Sequence, residues 1–243
     1  MRPDHDLQLP EVLEFRPEGG EIRLHEQRVL VVSAAAVGVL RRELIATVGI
    51  ETARPLLLRF GFANGYQDAI SLRAQFQWDD PLDGVRLGPM LHSLEGIVHA
   101  ELVRFTEDPA SRRFEAEALW RHSYEVEQHL HHFGTAVEPV CWTLAGYASG
   151  FASACLGREI YFRETQCAAV SGSHCVVVGK DADGWGDDCA RLRTDFHCAD
   201  LAAEMEHLHQ DEHRRHETTA RRERRQTDQT REIDALRDRV EQY

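Results

Sequence analysis

Two β-rich runs joined by a short loop constrain the fold of this chain more than any other stretch. The runs "REIYFRET" and "HCVVVGK" flank the segment "QCAAVSGS", whose Ser-Gly turn favours a β-hairpin. Glu164 and Cys167 stand at the end of the first run, and Cys175 stands at the start of the second. Zinc is bound by thiolate, imidazole and carboxylate ligands in a tetrahedron. Since the loop can supply three such ligands, the sequence predicts a hairpin stapled by a metal ion.

Spacing alone leaves the fourth ligand open. Cys141 is the best candidate because it lies early in a helix that leads into the hairpin, and its rivals are Cys155, Cys189, Cys198 and His174. Buried free cysteines are also frequent in proteins, so a set of buried thiols without a metal remains an alternative. A site with four protein ligands would be structural and not catalytic. Its surplus negative charge could be offset by Arg158, Arg163 or the backbone amides of the loop.

The N-terminal part of the chain shows strand and helix patterns. Short strands are predicted around the turn at Gly19 and Gly20. Helical spacing follows at Val37, Leu40, Leu44, Ile45 and Val48. A second helical stretch is predicted from about Glu51 to Trp78, and its candidates for burial are Leu56, Leu57, Phe60 and Ile70.

Two segments in the middle of the chain carry candidate pocket residues. A helix over "LGPMLHSLEGIV" places His92 at the margin of its apolar stripe. The run "RRFEAEALWRHS" alternates as a half-buried strand, with Ala116, Ala118 and Trp120 on one face. Two alanines beside a tryptophan leave volume that a neighbour or a ligand must fill in a close-packed interior.

Two further helices, "SYEVEQHLHHFG" and "EPVCWTLAGYASGFASACLG", precede the hairpin. The histidines of the first, His129, His131 and His132, could be metal ligands, but a solvated helix end is the better interpretation. The predicted fold class is therefore α+β, with mixed helices and antiparallel strands, a zinc-stapled hairpin and a helical linker after it.

The net charge and the tail bound the remaining possibilities. The formal net charge of −13 makes direct nucleic-acid binding unfavourable. The sequence has no apolar run long enough to cross a membrane and no apolar secretion signal at its start, so a cytoplasmic location is expected. Residues 1–10 are predicted to be a flexible arm. Residues 199–243 are almost entirely polar and predict a solvated linker helix or an interrupted coiled coil, with His207, His209, His213 and His216 exposed.

The stretch "PVCWTLAGYASGFASACLGREIYFRETQCAAVSGSHCVVVGK" resembles the N-terminal, 4-vinyl reductase-type sensory domain of the phenol- and xylene-responsive activators of aromatic catabolism. The resemblance spans about Leu13 to Phe196 and is carried by the Cys-Trp-Thr helix, the Gly-Arg-Glu strand and the E-x-x-C loop. It implies that residues 11–198 are a sensor domain with an N-terminal dimerisation segment. It also implies a small aromatic effector, a homodimer and a structural zinc ion.

The same resemblance implies a role in transcription. In that family the bound aromatic relieves repression of an ATPase domain that works with the alternative sigma factor sigma-54, and a DNA-binding domain follows. Neither later domain lies within these 243 residues, and residues 199–243 resemble the linker toward the ATPase. We therefore expect a sensory fragment of a sigma-54-dependent transcription activator that is not itself an enzyme.

The resemblance also assigns site residues. It places zinc on Cys141, Glu164, Cys167 and Cys175, and it places the phenol hydroxyl between His92 and Trp120. A phenol hydroxyl donates and accepts, an indole N–H donates, and an imidazole can do either. Burying that hydroxyl unpaired would cost on the order of 1–3 kcal/mol. The rest of the pocket should be apolar, with Val85, Leu94, Ala118, Phe151, Phe162 and Val177 as its walls.

One departure from the family concerns pocket size. Sensors of this kind have bulky aromatic residues where this chain has Val85 and Ala118. We therefore expect a roomier pocket, suited to a substituted phenol or a larger aromatic.

Two other functions remain open at this point. One is a small-molecule enzyme of the 4-vinyl reductase type, which would need an acid–base pair or a cofactor loop beside the pocket histidine. The other is a zinc-stapled dimerisation module. Stabilisation by an aromatic ligand would separate a sensor from such a module, because a ligand stabilises the folded state only by binding it.

Overall fold

The computed structural model describes residues 13–24, 27–75, 80–108, 111, 113–196 and 214. The chain divides into two compact units, residues 1–202 and 203–243. The predicted arm at residues 1–10 and the predicted linker at residues 199–243 lie outside the described residues, apart from residue 214. The following description concerns the first unit.

Helices and short antiparallel strands make up this unit. The strands are β1 (Leu13–Arg16), β2 (Glu21–Leu24), β3 (Gln27–Val29), β4 (His99–Asp108), β5 (Arg113–Arg121), β6 (Ile160–Gln166) and β7 (Cys175–Asp181). The α-helices are α1 (Ala34–Val48), α2 (Ile50–Gln75), α3 (Pro81–Leu94), α4 (Tyr124–Phe133), α5 (Trp142–Leu156) and α6 (Cys189–Phe196). Within the described residues no helix is both long and apolar enough to span a bilayer. The predicted α+β class is confirmed.

Two antiparallel sheets organise the strands. The first has the order β1-β2-β3, and Gly20 turns the chain between β1 and β2 with a left-handed φ of 64°. The second has the order β4-β5-β7-β6, so the chain reaches its central strand β7 last. The predicted hairpin is confirmed, because β6 pairs with β7 in antiparallel register from Ile160–Asp181 to Gln166–Val176.

Strand β5 shows the predicted alternation of buried and less buried residues. Phe114, Ala116, Ala118 and Trp120 are all 5% exposed or less, and the residues between them are only half-buried. This alternation turns one face of the larger sheet towards the helices, where α3 and α5 cover it. The buried face of β5 is therefore one wall of whatever space the helices leave.

Helices α2 and α5 cross at backbone contact distance. A Cβ at Gly150 would lie 2.0 Å from the carbonyl oxygen of Phe62, and one at Gly61 would lie 2.1 Å from that of Thr143. Gly65 and Gly146 make the same kind of approach to backbone oxygens of the opposite helix. The two glycine pairs, each spaced four residues apart, thus bring the helices together where any side chain would force them apart. Helix α2 runs through Asn64-Gly65 without interruption.

Helix α5 also covers the outer edge of strand β6. The hydroxyl of Ser149 accepts a hydrogen bond from the Phe162 amide at 2.7 Å. Ser153 accepts from the Ile160 amide at 2.9 Å and donates to the Ile160 carbonyl at 3.1 Å. These side chains satisfy backbone groups that a neighbouring strand would otherwise pair.

Part of the predicted burial in the N-terminal helices is wrong. Phe60 is 64% exposed and Leu56 is 39% exposed, because α2 turns Leu58 and Phe62 towards the core instead. In α1, Leu40 is 69% exposed, and Gly38 and Arg41 are the buried residues. The apolar spacing correctly predicts both helices, but the faces it marks are not the faces buried within one chain.

Candidate functional site

Four predicted metal ligands come together in the structure. The ligand atoms of Cys141, Glu164, Cys167 and Cys175 all lie within 4.8 Å of one another, and all four residues are buried. The rivals Cys155, Cys189 and His174 are not part of this group, and Cys198 lies outside the described residues. We call these four residues the thiol cluster.

A β-bulge explains why the E-x-x-C spacing works. In a regular strand, residues three apart point to opposite faces. The register between β6 and β7 shifts between Glu164 and Gln166, which leaves Thr165 as an extra residue. The bulge therefore turns Cys167 to the same buried side as Glu164.

The fourth ligand comes from the start of helix α5. Cys141 is the N-cap residue of that helix, and its amide donates to Glu164 Oε2 at 3.0 Å. Its sulfur lies 3.8 Å from the sulfur of Cys175 and 3.3 Å from the hydroxyl of Ser123. A helix N-terminus favours negative charge, so this position suits a thiolate.

The chemistry of the cluster fits a bound cation. Hydrogen bonds from the Cys141 and Cys175 thiols hold the pKa of Cys167 well below its usual value. Burial raises the pKa of Cys141 and raises that of Glu164 to about 8, so both resist carrying charge without a counter-ion. Glu164 Oε1 is buried without a hydrogen-bond partner among the described residues. A metal ion would supply the positive charge that these groups lack.

The surplus charge is not balanced by the two arginines considered from the sequence. Arg158 pairs with Glu107 at 2.7 Å, and Arg163 pairs with Asp188 at 2.7 Å. Backbone amides contact the cluster instead, since Ala168 N–H points at Cys175 Sγ at 3.4 Å and the Cys141 amide binds Glu164. Of the sources proposed from the sequence, the amides are the ones in contact.

A buried ion pair ties α1 to the segment that carries Cys141. Arg41 pairs with Glu125 and also donates to the Val140 carbonyl at 2.7 Å. Its guanidinium lies 4.1 Å from the ring centroid of Trp142. Glu125 accepts in turn from the Leu144 amide at 3.0 Å in the first turn of α5. The start of α5 is thus held from two sides.

An apolar cavity of about 40 Å³ lies beside the cluster, between α3, α5 and the buried face of the larger sheet. Of the predicted pocket residues, His92, Trp120, Val85, Ala118, Phe151, Phe162 and Val177 line this sensor cavity. Leu94 does not line it; it is half-buried at the last position of α3. Tyr147, Ala148 and Ala152 of α5, Ala100 and Leu102 of β4, and Ala116, Gly88 and Pro89 also line it.

His92 supplies an unsatisfied polar atom to this cavity. The residue is 3% exposed, and its Nε2 has no hydrogen-bond partner in the part of the chain that the structure describes. Burial lowers the pKa of His92 to about 3, so the imidazole is neutral at physiological pH. Its ring lies 6.2 Å from that of Trp120 in an edge-on arrangement. A buried polar atom without a partner is costly, and a ligand hydroxyl would remove that cost.

The sensor cavity and the thiol cluster occupy neighbouring rows of one sheet face. Trp120 is the register partner of Cys175, and Ala118 is the partner of Val177. Glu164 pairs with Val177 on the other side of β7. Directly paired residues point to the same face of a sheet. The staple and the cavity therefore share strands β5, β6 and β7.

The expected extra room is not seen in this structure. Val85 and Ala118 do line the cavity, but the rings of Tyr147, Phe151 and Phe162 line it as well. An engineered cavity of roughly 150 Å³ binds benzene in another protein. The cavity here is smaller, because these aromatic rings take up the volume that the small residues leave.

Sequence reasoning missed or misjudged three site features. His129 is 6% exposed and packs on Phe133 with 5.1 Å between ring centroids, so the prediction of a solvated helix end holds for exposed His131 but not for His129. Tyr147 was not singled out, although its four-residue spacing to Phe151 on α5 puts both rings on one helix face. The contribution of Ala100 and Leu102 depends on strand pairing, which the sequence did not predict.

Comparisons with known proteins support the geometry. Residues 8–108 match the family model described as "Activator of aromatic catabolism", and residues 120–181 match the model of the 4-vinyl reductase domain. The chain is 40% identical over 185 residues to the transcriptional regulatory protein XylR of Pseudomonas putida. It is 31% identical over 189 residues to the phenol regulator MopR of Acinetobacter guillouiae. These matches cover 75% and 76% of this chain but 32% and 33% of the relatives, so the chain spans about a third of their length.

A solved structure gives the same result for the fold. The phenol-responsive sensory domain of the transcription activator PoxR, crystallised with phenol, aligns with a TM-score of 0.73 and 35% identity. The alignment covers 78% of this chain and 94% of that domain. The chain therefore belongs to the family of N-terminal sensory domains of the activators of aromatic catabolism.

Proposed function

We propose that this domain binds a small hydroxylated aromatic in the sensor cavity and, through that binding, regulates a transcription activator of which it is the sensory part. The observation that carries the proposal is the buried, unpartnered Nε2 of His92 at the edge of an otherwise apolar cavity. The relatives named for xylene-type regulation and for phenol response agree with such a ligand.

The hydroxyl would be held by two groups. Neutral His92 can accept or donate through Nε2, and the indole N–H of Trp120 can only donate. A phenol hydroxyl can serve both, while its ring packs among Ala118, Phe151 and Val177. A ring without a hydroxyl would leave the imidazole unsatisfied, which gives selectivity for phenols over simple arenes.

Entry of such a ligand requires the cavity to widen. A volume of about 40 Å³ is smaller than a cavity known to hold benzene, which is roughly 150 Å³. The bound state must therefore differ in the placement of at least one wall, and the ligand favours that wider state because it binds only there. This difference between two states gives the domain a means of signalling.

Calorimetry tests the proposal directly. Phenol should bind, and benzene should bind at least about tenfold more weakly, as expected for an unpaired imidazole worth on the order of 1–3 kcal/mol. His92→Ala and Trp120→Phe should each weaken phenol binding by a similar factor while the melting temperature stays close to that of the wild type. Leu102→Val, which trims an apolar wall residue, is the matched control. Unchanged phenol affinity in both variants would remove the site assignment.

For the thiol cluster we propose a structural zinc ion. Cys141, Glu164, Cys167 and Cys175 would hold it, and four protein ligands leave no open position for a substrate. When bound, the ion would cross-link the start of α5 to the β6–β7 hairpin. We expect about one zinc ion per chain by elemental analysis, and chelation should melt this region rather than only block the cavity. A chain purified without metal that melts like the holoprotein would contradict this assignment.

We also propose that the exposed apolar residues before and along α1 and α2 form a homodimer interface. Leu30, Val31 and Val32 are 76%, 79% and 56% exposed, and Leu40 and Phe60 are 69% and 64% exposed. Exposed apolar groups of this density mark interaction surfaces in soluble proteins. Sedimentation should give a dimer for the wild type and a monomer for the double variant Leu40→Glu/Phe60→Glu, with Glu43→Gln as the surface control.

A further inference from the structure

A buried polar group lies behind the sensor cavity, outside the hydroxyl site and the thiol cluster. Asp68 of α2 is 5% exposed, and its Oδ2 lacks a conventional hydrogen-bond donor among the described residues. Three side chains face it: Glu95 from the end of α3, Tyr147 from α5 and Gln27 from β3. Gln27 also donates to the Gln67 carbonyl at 3.1 Å and to Ser71 Oγ at 2.6 Å.

The contact between Asp68 and Glu95 joins two acids. Their carboxyl groups are within hydrogen-bonding reach, although Glu95 as a residue is exposed. Two ionised carboxylates only accept hydrogen bonds, so this contact requires a proton on one of them. Burial raises the pKa of Asp68 to about 6, and burial together with the charge of Asp68 raises the pKa of Glu95. The two groups titrate as a unit and not independently.

The acid pair is connected to the sensing histidine by two short paths. Glu95 caps the C-terminus of α3 three residues after His92, and its amide donates to the Leu91 carbonyl. Tyr147, which Asp68, Glu95 and Cys155 all face, stacks on His92 with 4.2 Å between ring centroids. The acid pair therefore lies where α2, the end of α3 and α5 meet.

We propose that Asp68 and Glu95 share one proton and that this pair positions His92, so that the cavity binds hydroxylated aromatics best while the pair is protonated. The inference rests on the proposed aromatic-binding function. Loss of the shared proton would place two negative charges side by side and push the end of α3 away from α2. The imidazole of His92 would move with α3 and lose its aim at the ligand hydroxyl.

The direction of the pH effect follows from the raised pKa values. The folded state holds a proton that the unfolded state has already released above its ordinary pKa of roughly 4. The stability of the ligand-free protein therefore falls as the pH rises through the titration of the pair, and aromatic affinity falls with it. His92 is not the source, because its pKa is about 3 and its charge does not change above pH 5.

Calorimetry with phenol between pH 5.5 and 8.5 tests the pair. Phenol stays neutral in this range, because a phenolic hydroxyl ionises near pH 10. The wild-type affinity should fall about fivefold or more across the range, and that of Asp68→Asn should change less than about twofold. Glu51→Gln on the same helix is the control, since its side chain is 81% exposed, and it should behave like the wild type. Equal pH dependence in Asp68→Asn and wild type would overturn the proposal.

Thermal unfolding without ligand separates this proposal from the proposed function. The wild-type melting temperature should fall with pH more steeply than that of Asp68→Asn, and a protonated-carboxyl infrared band at pH 7 should disappear in that variant. If phenol does not bind at any pH, the proposed function fails and the positioning role fails with it, while the melts still decide whether the proton is shared. If phenol binds with pH-independent affinity, the positioning role alone is overturned. Glu95→Gln, at an exposed residue, replaces Asp68→Asn if the latter does not fold.

Discussion

The thiol cluster and the sensor cavity lie in adjacent rows of one sheet face, yet they are built in opposite ways. The cluster is small, polar and completed by the chain itself, with four ligand atoms within 4.8 Å. The cavity is apolar and incomplete, with one buried nitrogen that has no partner among the described residues. One part of the sheet is thus fixed by a full ligand set, whereas the neighbouring part is left able to respond.

The difference also lies in how the chain brings each site together. Three of the four cluster residues come from one hairpin, and the fourth caps the helix that leads into it. The cavity needs α3, α5, β4, β5, β6 and β7, which are distant in sequence. A local site can hold its geometry when other contacts loosen, whereas a site built from many elements changes when any of them moves. The variants below test this contrast, from the largest expected effect to the smallest.

Removing a cluster thiol should have the largest effect. Cys175→Ser should lose the metal and unfold much of the domain, because structural zinc contributes roughly 10 kcal/mol or more and a whole domain is stable by only about 5–15 kcal/mol. Elemental analysis and circular-dichroism melts measure both quantities. Cys189→Ser, a cysteine outside the cluster, should retain the metal. A Cys175→Ser protein with full metal content and a wild-type melt would remove the cluster from its bracing role.

A side chain at the α2–α5 crossing should separate the two sites. The Cβ of Gly150→Ala would lie 2.0 Å from the Phe62 carbonyl oxygen, so the helices must move apart at a cost of about 3 kcal/mol. Because α5 carries one wall of the cavity, aromatic binding should be lost while the metal content stays at the wild-type level. Gly19→Ala is the control, because its Cβ meets nothing closer than 4.0 Å. Parallel loss of metal and ligand would show that the two sites are not independent.

Filling the cavity should affect ligand binding far more than stability. Ala118→Leu adds a larger side chain to a cavity of about 40 Å³, so phenol affinity should fall at least about tenfold. The melting temperature should fall by only a few degrees, as is usual for moderate overpacking. Glu115→Gln on the opposite face of β5 is the control. Undiminished phenol binding by Ala118→Leu would mean that the aromatic lies elsewhere.

The smallest effect is expected at Leu94. This residue does not line the cavity, so Leu94→Ala should change phenol affinity less than about twofold, whereas Val85→Ala should change it severalfold. Titration calorimetry on the two variants compares them directly. A larger effect at Leu94 than at Val85 would require a different boundary for the sensor cavity.

The sequence was informative where a pattern is local. The hairpin, the helix caps at Gly134 and Gly157 and the alternation of β5 follow from short-range spacing, and the structure has them as predicted. The zinc ligand set needed the family resemblance as well, because spacing left Cys141 among several candidates for the fourth position. The bulge at Thr165, which lets Glu164 and Cys167 share a side, was not predicted because nothing in the residue types marks it.

Other features could not be predicted because they depend on distant contacts. The exposure of Leu40 and Phe60 depends on which helix face meets the core, and apolar spacing marks a face without naming its partner. The cavity volume depends on how Tyr147, Phe151 and Phe162 pack together, and the sizes of Val85 and Ala118 alone do not determine it. The burial of His129 depends in the same way on its packing against Phe133.

The serine contacts of α5 have a consequence for assembly. With Ser149 and Ser153 occupying backbone groups of β6, that border of the sheet cannot recruit an extra strand from another molecule. The opposite border, β4, is interrupted at Val103 and carries the charged residues Glu101 and Arg104. Both borders are thus poor templates for fibril growth. A domain that must keep a soft, adjustable interior at cellular concentrations can do so without exposing a sticky rim.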